Sequence, residues 1–344
     1  MAVTYYLMIY TFALCCSLFA NEKNLTTVNN RLTSFLFCGF LIMLAGFRYN
    51  ISTDYWNYHR FFWSDVANSR FEFLFKHFML FCKNAFWSYN AFVFMTALVS
   101  IGVKGLYVSR LKNPFFAVFI YICIYFFDSD FNGLRQGMGI GFAYFAIEMG
   151  RKRNFIPYCL FLLAAVMLHA SYLVLFPFYF LCDKHFTISI KKILLLLVLL
   201  FAVRMTVLNQ LLRYFQGILS GSGNLIVRQL AYYLGVGDFA INLAILRRLF
   251  FVVVYILLFG TDNMDIYFML YFISFLICFM LSGAEMFAHR LSGVFDIFAV
   301  PLFAGRKMPF TTKNMLLVLA LVAGLTALYF GGPMRASLPY QSYL

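Results

Sequence analysis

Ten long apolar runs divide this chain, at about 3–20, 33–47, 86–108, 115–128, 133–149, 191–208, 242–260, 266–281, 291–304 and 315–330. A helix needs about 20 apolar residues to cross a bilayer, and most of the runs approach that length. Backbone N–H and C=O groups in hydrocarbon must find partners within their own segment, so such runs fold as helices. A membrane β-barrel would show alternating stretches of roughly ten residues, and these runs are unbroken instead. With 63% hydrophobic and 12% charged residues and a mean hydropathy of +0.83, the chain lies outside the range of soluble domains. The expectation is one all-α, polytopic membrane bundle over residues 1–344, with about 10–12 transmembrane helices. No basic segment precedes Tyr5–Ala20, so that run reads as a first span and not as a cleaved signal peptide.

The loops set an orientation. Lys23 and Arg31 follow the first run, Arg110 and Lys112 the third, and Arg151, Lys152 and Arg153 the fifth; Arg306, Lys307 and Lys313 precede the last. Basic loops stay in the cytoplasm, which places all of these inside. Phe155–Cys182 is about 28 residues, long for one crossing and short for two. A single crossing would put Lys184, Lys191, Lys192, Arg306 and Lys307 outside. A hairpin of two half-length helices, with its tip near Leu168-His169-Ala170-Ser171, keeps every basic loop inside. The hairpin is the preferred reading, and it places both termini outside. The segment 71–84, with Glu72, Lys76, His77 and Lys83 among phenylalanines, suits an interfacial amphipathic helix. Residues 209–241, with Arg213, Arg228, Tyr214, Tyr232 and Tyr233, read as an amphipathic cover over the outer face. Arg204, Arg247 and Arg248 read as contacts to lipid headgroups.

The net charge of +14 invites a nucleic-acid reading. The basic residues sit mainly in short loops, however, so the charge is assigned to topology and to an anionic ligand. The 8 cysteines lie mostly inside apolar runs without metal-ligand spacing and read as small core residues. Asp128-x-Asp130 matches a metal-binding pattern in letters only, and no metal or cofactor is expected. Walker A, GxSxG and HExxH patterns are missing from the sequence.

Four polar clusters interrupt the apolar frame. The first is Arg48 to Arg60, which holds Ser52-Thr53-Asp54-Tyr55 and Tyr58. It reads either as an interfacial arginine with helix caps and an aromatic belt, or as a phosphate-binding arginine beside an acid and a sugar-stacking platform. The second is Asp128 to Gly137. Asp130 and Asn132 can be caps, but Arg135 and Gln136 stand in the first turn of an apolar helix. A cation there opposes the helix dipole unless an anion joins it. Glycines 133, 137, 139 and 141 permit close helix approach. The third is His169 with Ser171, a packing histidine or a proton acceptor. In the fourth, Glu285 and His289 stand four apart on one helix face, followed by Arg290.

Taken together these motifs resemble the bacterial EpsG-like branch of the Wzy polysaccharide polymerases, over most of the chain. The resemblance rests on Arg48 with Thr53-Asp54-Tyr55 and Tyr58, on Asn132-Gly133-Leu134-Arg135-Gln136, on His169-Ala170-Ser171, on His289-Arg290, and on Leu338-Pro339-Tyr340. It implies a GT-C-like architecture in the bacterial inner membrane with its site facing outside. It implies en bloc transfer of a glycan from undecaprenyl diphosphate to the non-reducing end of a new lipid-linked repeat unit. His169, Asp54 and Glu285 are then the candidate catalytic residues. Arg48, Arg135, Gln136, His289, Arg290, Tyr55, Tyr58, Asp130 and Ser171 are the candidate ligands of sugar and diphosphate. The implied partners are undecaprenyl-diphosphate-linked oligosaccharide, membrane lipids, a Wzz-like chain-length regulator and a flippase, with no nucleic acid. Rival readings are an O-antigen ligase, a membrane-bound O-acyltransferase and a lipid-linked oligosaccharide flippase. A flippase would show two pseudo-symmetric halves, and no repeat stands out.

Overall fold

The computed structural model describes residues 2–19, 27–64, 66, 71–185, 187, 189–221, 241–262, 264–306, 314–331, 338 and 340–342. Their regular structure is helical, as the apolar runs require. Contacts group the chain into two compact units: residues 1–183, 300–312 and 318–344 form the first, and 184–299 and 313–317 the second. Among the described residues, Tyr89–Val108, Pro114–Asn132 and Phe287–Ala304 are long and apolar enough to cross a membrane, and Ile190–Leu208 with Gln210–Ser220, bent by 42°, makes a fourth when the pair is counted as one span. Shorter apolar helices accompany them, including Phe155–Leu168 and Ile266–Met280. This is an all-α, multi-pass membrane protein.

The first unit contains α1 (Ala2–Phe19), α2 (Thr27–Gly46), α3 (Tyr55–Trp63), α4 (Phe73–Phe86), α5 (Tyr89–Val108), α6 (Pro114–Tyr121), α7 (Leu134–Arg151) and α8 (Phe155–Leu168). Beyond Tyr121 the α6 helix widens into π turns over Ile122–Asn132, a winding often found at functional sites. The amphipathic segment folds as expected: α4 buries Phe75, Met79 and Cys82 and exposes Phe73, Phe81 and Phe86.

The hairpin expected at 155–182 is present. Helix α8 stops at His169, whose extended backbone breaks the run, and a 3-10 helix follows over Ala170–Leu181. The Tyr158 hydroxyl donates to the carbonyls of Leu175 at 2.5 Å and Phe176 at 3.1 Å. Residues 158 and 175 would stand about 25 Å apart on one straight helix, so these bonds require the limbs to fold back on each other. Phe155 and Tyr179 close the open end with ring centroids 5.0 Å apart.

Two glycines let the returning limb and α5 approach α7. A Cβ at Gly139 would run into the Tyr172 ring, and one at Gly141 would stand 3.0 Å from the Lys104 backbone nitrogen. Tyr172 is held in that place, since its hydroxyl donates to the Gln136 carbonyl at 2.8 Å. We expect Gly139→Leu to lower stability by about 1–3 kcal/mol, the usual cost of overpacking. Thermal melting of the purified protein checks this. An unchanged midpoint would mean that the limb is not packed on α7.

The helix directions sort the first unit into two ends. The Tyr329 hydroxyl donates to the Tyr6 carbonyl, and Tyr10 bonds Thr326, so α1 runs antiparallel to the C-terminal helix Met315–Tyr329. The start of α1, the end of α2 with Arg48, the start of α7 with Arg135 and the hairpin tip all share one end. At the other lie Arg110, Lys112, Arg151, Lys152, Arg153 and Arg306. There Arg153 pairs with Asp183 at 2.5 Å, and the Asn113 amide donates to the Arg306 carbonyl at 2.5 Å.

The second unit contains α9 (Ile190–Val203), a π segment Arg204–Leu208, α10 (Asn209–Ser220), α11 (Leu243–Phe259), α12 (Ile266–Met280) and α13 (Glu285–Asp296). Ser189, Asn242 and Asp265 accept from backbone amides in the first turns of α9, α11 and α12, satisfying donors that a helix start leaves open. The expectation of headgroup contacts is corrected here for two arginines. Arg204 and Arg248 are buried at 0% and 1% exposure. Arg204 donates to the Ser282 carbonyl. Arg248 donates to Ser274 at 2.8 Å, Ser292 at 3.1 Å and Asp296 at 3.3 Å, and Arg247 also pairs with Asp296. Arg248 thus ties α11 to α12 and α13, and Arg247 ties it to α13, since a buried guanidinium is costly without polar partners. Of the amphipathic cover expected at 209–241, α10 is helical, whereas Arg228, Tyr232 and Tyr233 lie outside the described residues.

Candidate functional site

Arg48 is buried at 2% exposure just beyond α2. Its guanidinium donates to the Ala45 and Phe131 carbonyls and lies over the Phe131 ring at 5.0 Å. Its Nε finds no acceptor, and no carboxylate stands within ion-pair distance among the described residues. A buried cation in this state is costly. The C-terminal tail closes over it. Ser342 bridges Arg48 through the backbone, the Tyr49 amide donates to the Gln341 carbonyl at 2.8 Å, and the Tyr340 hydroxyl donates to the Leu44 carbonyl at 2.9 Å.

The loop that follows is strained. Asn50 and Ser52 have φ of 50° and 98°, costly values for residues with a Cβ. Asn132 pins the turn: its side-chain oxygen accepts from the Thr53 amide at 3.0 Å and the Thr53 hydroxyl at 3.2 Å. Asn132 thus acts as a clamp between segments and not as a helix cap. Asp54 makes no capping bond and has no arginine within ion-pair distance among the described residues; it accepts from the Asn57 amide at 3.4 Å. The sugar-stacking platform is corrected. Tyr55 and Tyr58 point into the core at 3% and 7% exposure, Tyr55 edge-on to Tyr89 and Tyr58 against Phe75. The exposed aromatics of this run are Tyr49, Trp56, Phe61 and Trp63. A helix turned by about 100° per residue cannot present 55, 58 and 62 to the core and to a sugar at once.

Asp130 is likewise not available to a substrate. Its carboxylate accepts from the Lys104 ammonium at 2.6 and 2.8 Å, from the Ser100 hydroxyl at 2.6 Å and from Tyr121. The pair is sealed, with side-chain exposures of 2% and 0%. The π turns bring Asp130 around to face α5. Lys104 escaped the sequence reading, although a lysine inside the run 86–108 carried a signal: a charge at that depth demands a partner. Asp128 is exposed. Among the described residues, no group of three or more His, Cys, Asp or Glu stands close enough to hold a metal ion.

Arg135, His169 and Ser171 do come together, through a residue that the sequence reading placed only on an interfacial helix. Glu72, just before α4, accepts from Arg135 Nη1 at 2.7 Å through one carboxylate oxygen and from the Ala170 amide at 3.3 Å through the other. Arg135 lies over the Phe71 ring at 5.1 Å, and its Nε is buried without an acceptor. Burial works against the charged form of Glu72. The Arg135 guanidinium, hydrogen bonds from the backbone and from Arg135, and the His169 ring outweigh it and hold the carboxyl below its ordinary value. The ion pair therefore contributes above the ordinary carboxylate pKa and is lost as pH falls through the lowered one. Arg135 needs an anion and has none in its own first turn, which was the legible hint that an acid arrives from elsewhere.

His169 caps the second limb of the hairpin. Its Nδ1 faces the Ser171 hydroxyl at 2.6 Å and the Ser171 amide at 3.4 Å. An amide can only donate, so Nδ1 is the acceptor and the proton of the neutral ring sits on Nε2. Gln136 is half-buried beside Arg135. In the second unit, His289 and Arg290 are exposed on α13, and the side chain of Glu285 lies outside the described residues.

The motifs at Arg48, Asn132-Gly133-Leu134-Arg135-Gln136, His169-Ala170-Ser171, His289-Arg290 and Tyr340 all fall within one family match. A model of the EpsG family matches residues 31–342. The chain belongs to the EpsG family. That membership carries a role in polysaccharide biosynthesis of the polymerase kind. Searches among curated proteins and among solved structures return no match.

Proposed function

We propose that this EpsG-family protein is a Wzy-type polysaccharide polymerase of the bacterial inner membrane, working on its outer face. The donor is a glycan on undecaprenyl diphosphate, and the acceptor is the non-reducing-end hydroxyl of an incoming undecaprenyl-diphosphate-linked repeat unit. The observation that carries this reading is the meeting of Arg135 with the His169–Ser171 tip, at the end of the first unit opposite the basic loops. Breaking the anomeric C–O bond leaves negative charge on the diphosphate, which a guanidinium fork and an imidazole N–H stabilise. Arg48, buried with a spare Nε donor, adds positive potential on the same side. Asp54, which is partly exposed, is assigned to take the acceptor's proton, and Glu285 is the other candidate base. His289 and Arg290 are assigned to the second lipid-linked substrate. A chain-length regulator and a flippase are the expected partners.

Reconstitution with purified undecaprenyl-diphosphate repeat units tests the reaction. A ladder of polymer on a gel is the expected result. Movement of units across the bilayer without polymer would install the flippase reading, and transfer only to a lipid A core acceptor would install the ligase reading.

A further inference from the structure

We propose that Glu72 is the exchangeable counter-ion of Arg135, a specificity-determining residue that yields the guanidinium to the anionic group of a lipid-linked substrate and in doing so releases the hairpin tip. The inference rests on the reading that Arg135 binds diphosphate.

The same carboxylate holds two different parts of the first unit. One oxygen takes Arg135 in the first turn of α7, and the other takes the Ala170 amide, the residue after His169. Whatever removes Glu72 from Arg135 therefore also removes an acceptor from the tip. The pair is built for exchange, in contrast to its neighbour. Lys104 and Asp130 have side-chain exposures of 2% and 0%, whereas Arg135 and Glu72 have 29% and 18%. A sealed pair cannot trade partners without baring a charge to apolar surroundings. A half-open pair can, since solvent or an incoming anion covers each charge during the change.

Arg135 also has unused capacity. Glu72 engages Nη1 and the Tyr58 hydroxyl oxygen also accepts from the guanidinium, while the buried Nε has no acceptor. A phosphate can occupy the fork with two oxygens, where Glu72 offers one. A diphosphate arriving there repels the carboxylate that it replaces, so both effects drive Glu72 out. Glu72 stands at the position before α4 yet makes no bond to that helix's free amides. An acid so placed commonly caps its helix, and here it is turned to Arg135 instead. Once displaced, it has that capping position to return to.

The test uses the full-length protein in lipid nanodiscs and farnesyl diphosphate as the probe. Glu72→Gln keeps the shape and removes the competing charge. It should bind the probe about two- to fivefold more tightly by calorimetry, the size set by losing a partly exposed ion pair as competitor. Equal or weaker binding in the folded variant overturns the proposal. Hydrogen exchange on the unmutated protein gives a second readout that does not depend on the variant folding. Saturating probe should speed exchange at the Ala170 amide, and slower or unchanged exchange there overturns the proposal. Arg135→Ala separates this from the underlying reading. If that variant binds the probe as well as the unmutated protein does, Arg135 is not the diphosphate site at all. If it loses binding while Glu72→Gln gains none, only the counter-ion role fails.

Discussion

Asp130→Ala is expected to cost about 3–5 kcal/mol, the loss seen when one partner of a buried ion pair is removed. The Lys104 ammonium would be left at 1% exposure with its main acceptor gone. Ser100 and Tyr121 would lose their acceptor in the same step. The damage would not stay local. Asp130 anchors the π turns that lead to Phe131 and Asn132. These in turn hold Arg48 through a carbonyl and the Thr53 turn through an amide oxygen. Thermal melting in detergent reads the loss. The double variant Lys104→Met with Asp130→Leu should recover most of it, because replacing both charges by apolar groups of similar volume is often neutral. A single variant that melts with the unmutated protein would show that the pair does not hold these helices. A double variant that is stable yet makes no polymer would assign the pair to positioning Asn132 and Arg48.

The second large effect concerns the reaction. Arg135→Ala should lower polymer formation by roughly a hundredfold or more, the scale for removing one strong donor from a developing negative charge. Protein level and melting should change far less, since the pair with Glu72 is partly exposed and such pairs add little stability. Arg135→Lys should also fall well below the unmutated protein. An ammonium cannot present the planar fork that two phosphate oxygens meet. Full activity in the lysine variant would sink the bidentate role while leaving the charge itself in place. The assay is the same reconstituted ladder, read as rate per folded protein.

Most of the helices were legible in the residues. The apolar runs expected at 86–108, 133–149, 242–260, 266–281 and 315–330 became Tyr89–Val108, Leu134–Arg151, Leu243–Phe259, Ile266–Met280 and Met315–Tyr329. Hydropathy is a sum over neighbours in sequence, and a segment that must satisfy its own backbone has few choices. The hairpin was legible for a related reason: length and the placement of basic residues left it as the economical path. Individual side chains were harder. Tyr55 and Asp130 have the types and the setting of ligands, yet one packs edge-on to Tyr89 and the other is bound by Lys104. Arg248 resembles a headgroup contact in sequence and is a buried cross-link in space.

The sequence by itself determined the all-helical, multi-pass class, the break at His169 and the family, because these follow from local composition and from residues in a set order along the chain. Only the tertiary structure decided which charge meets which. Lys104 and Asp130 are 26 residues apart, and Arg135 and Glu72 are 63. Coulomb attraction and desolvation act through space. Helix packing, close at Gly139 and Gly141, sets that space, and no window of sequence contains it.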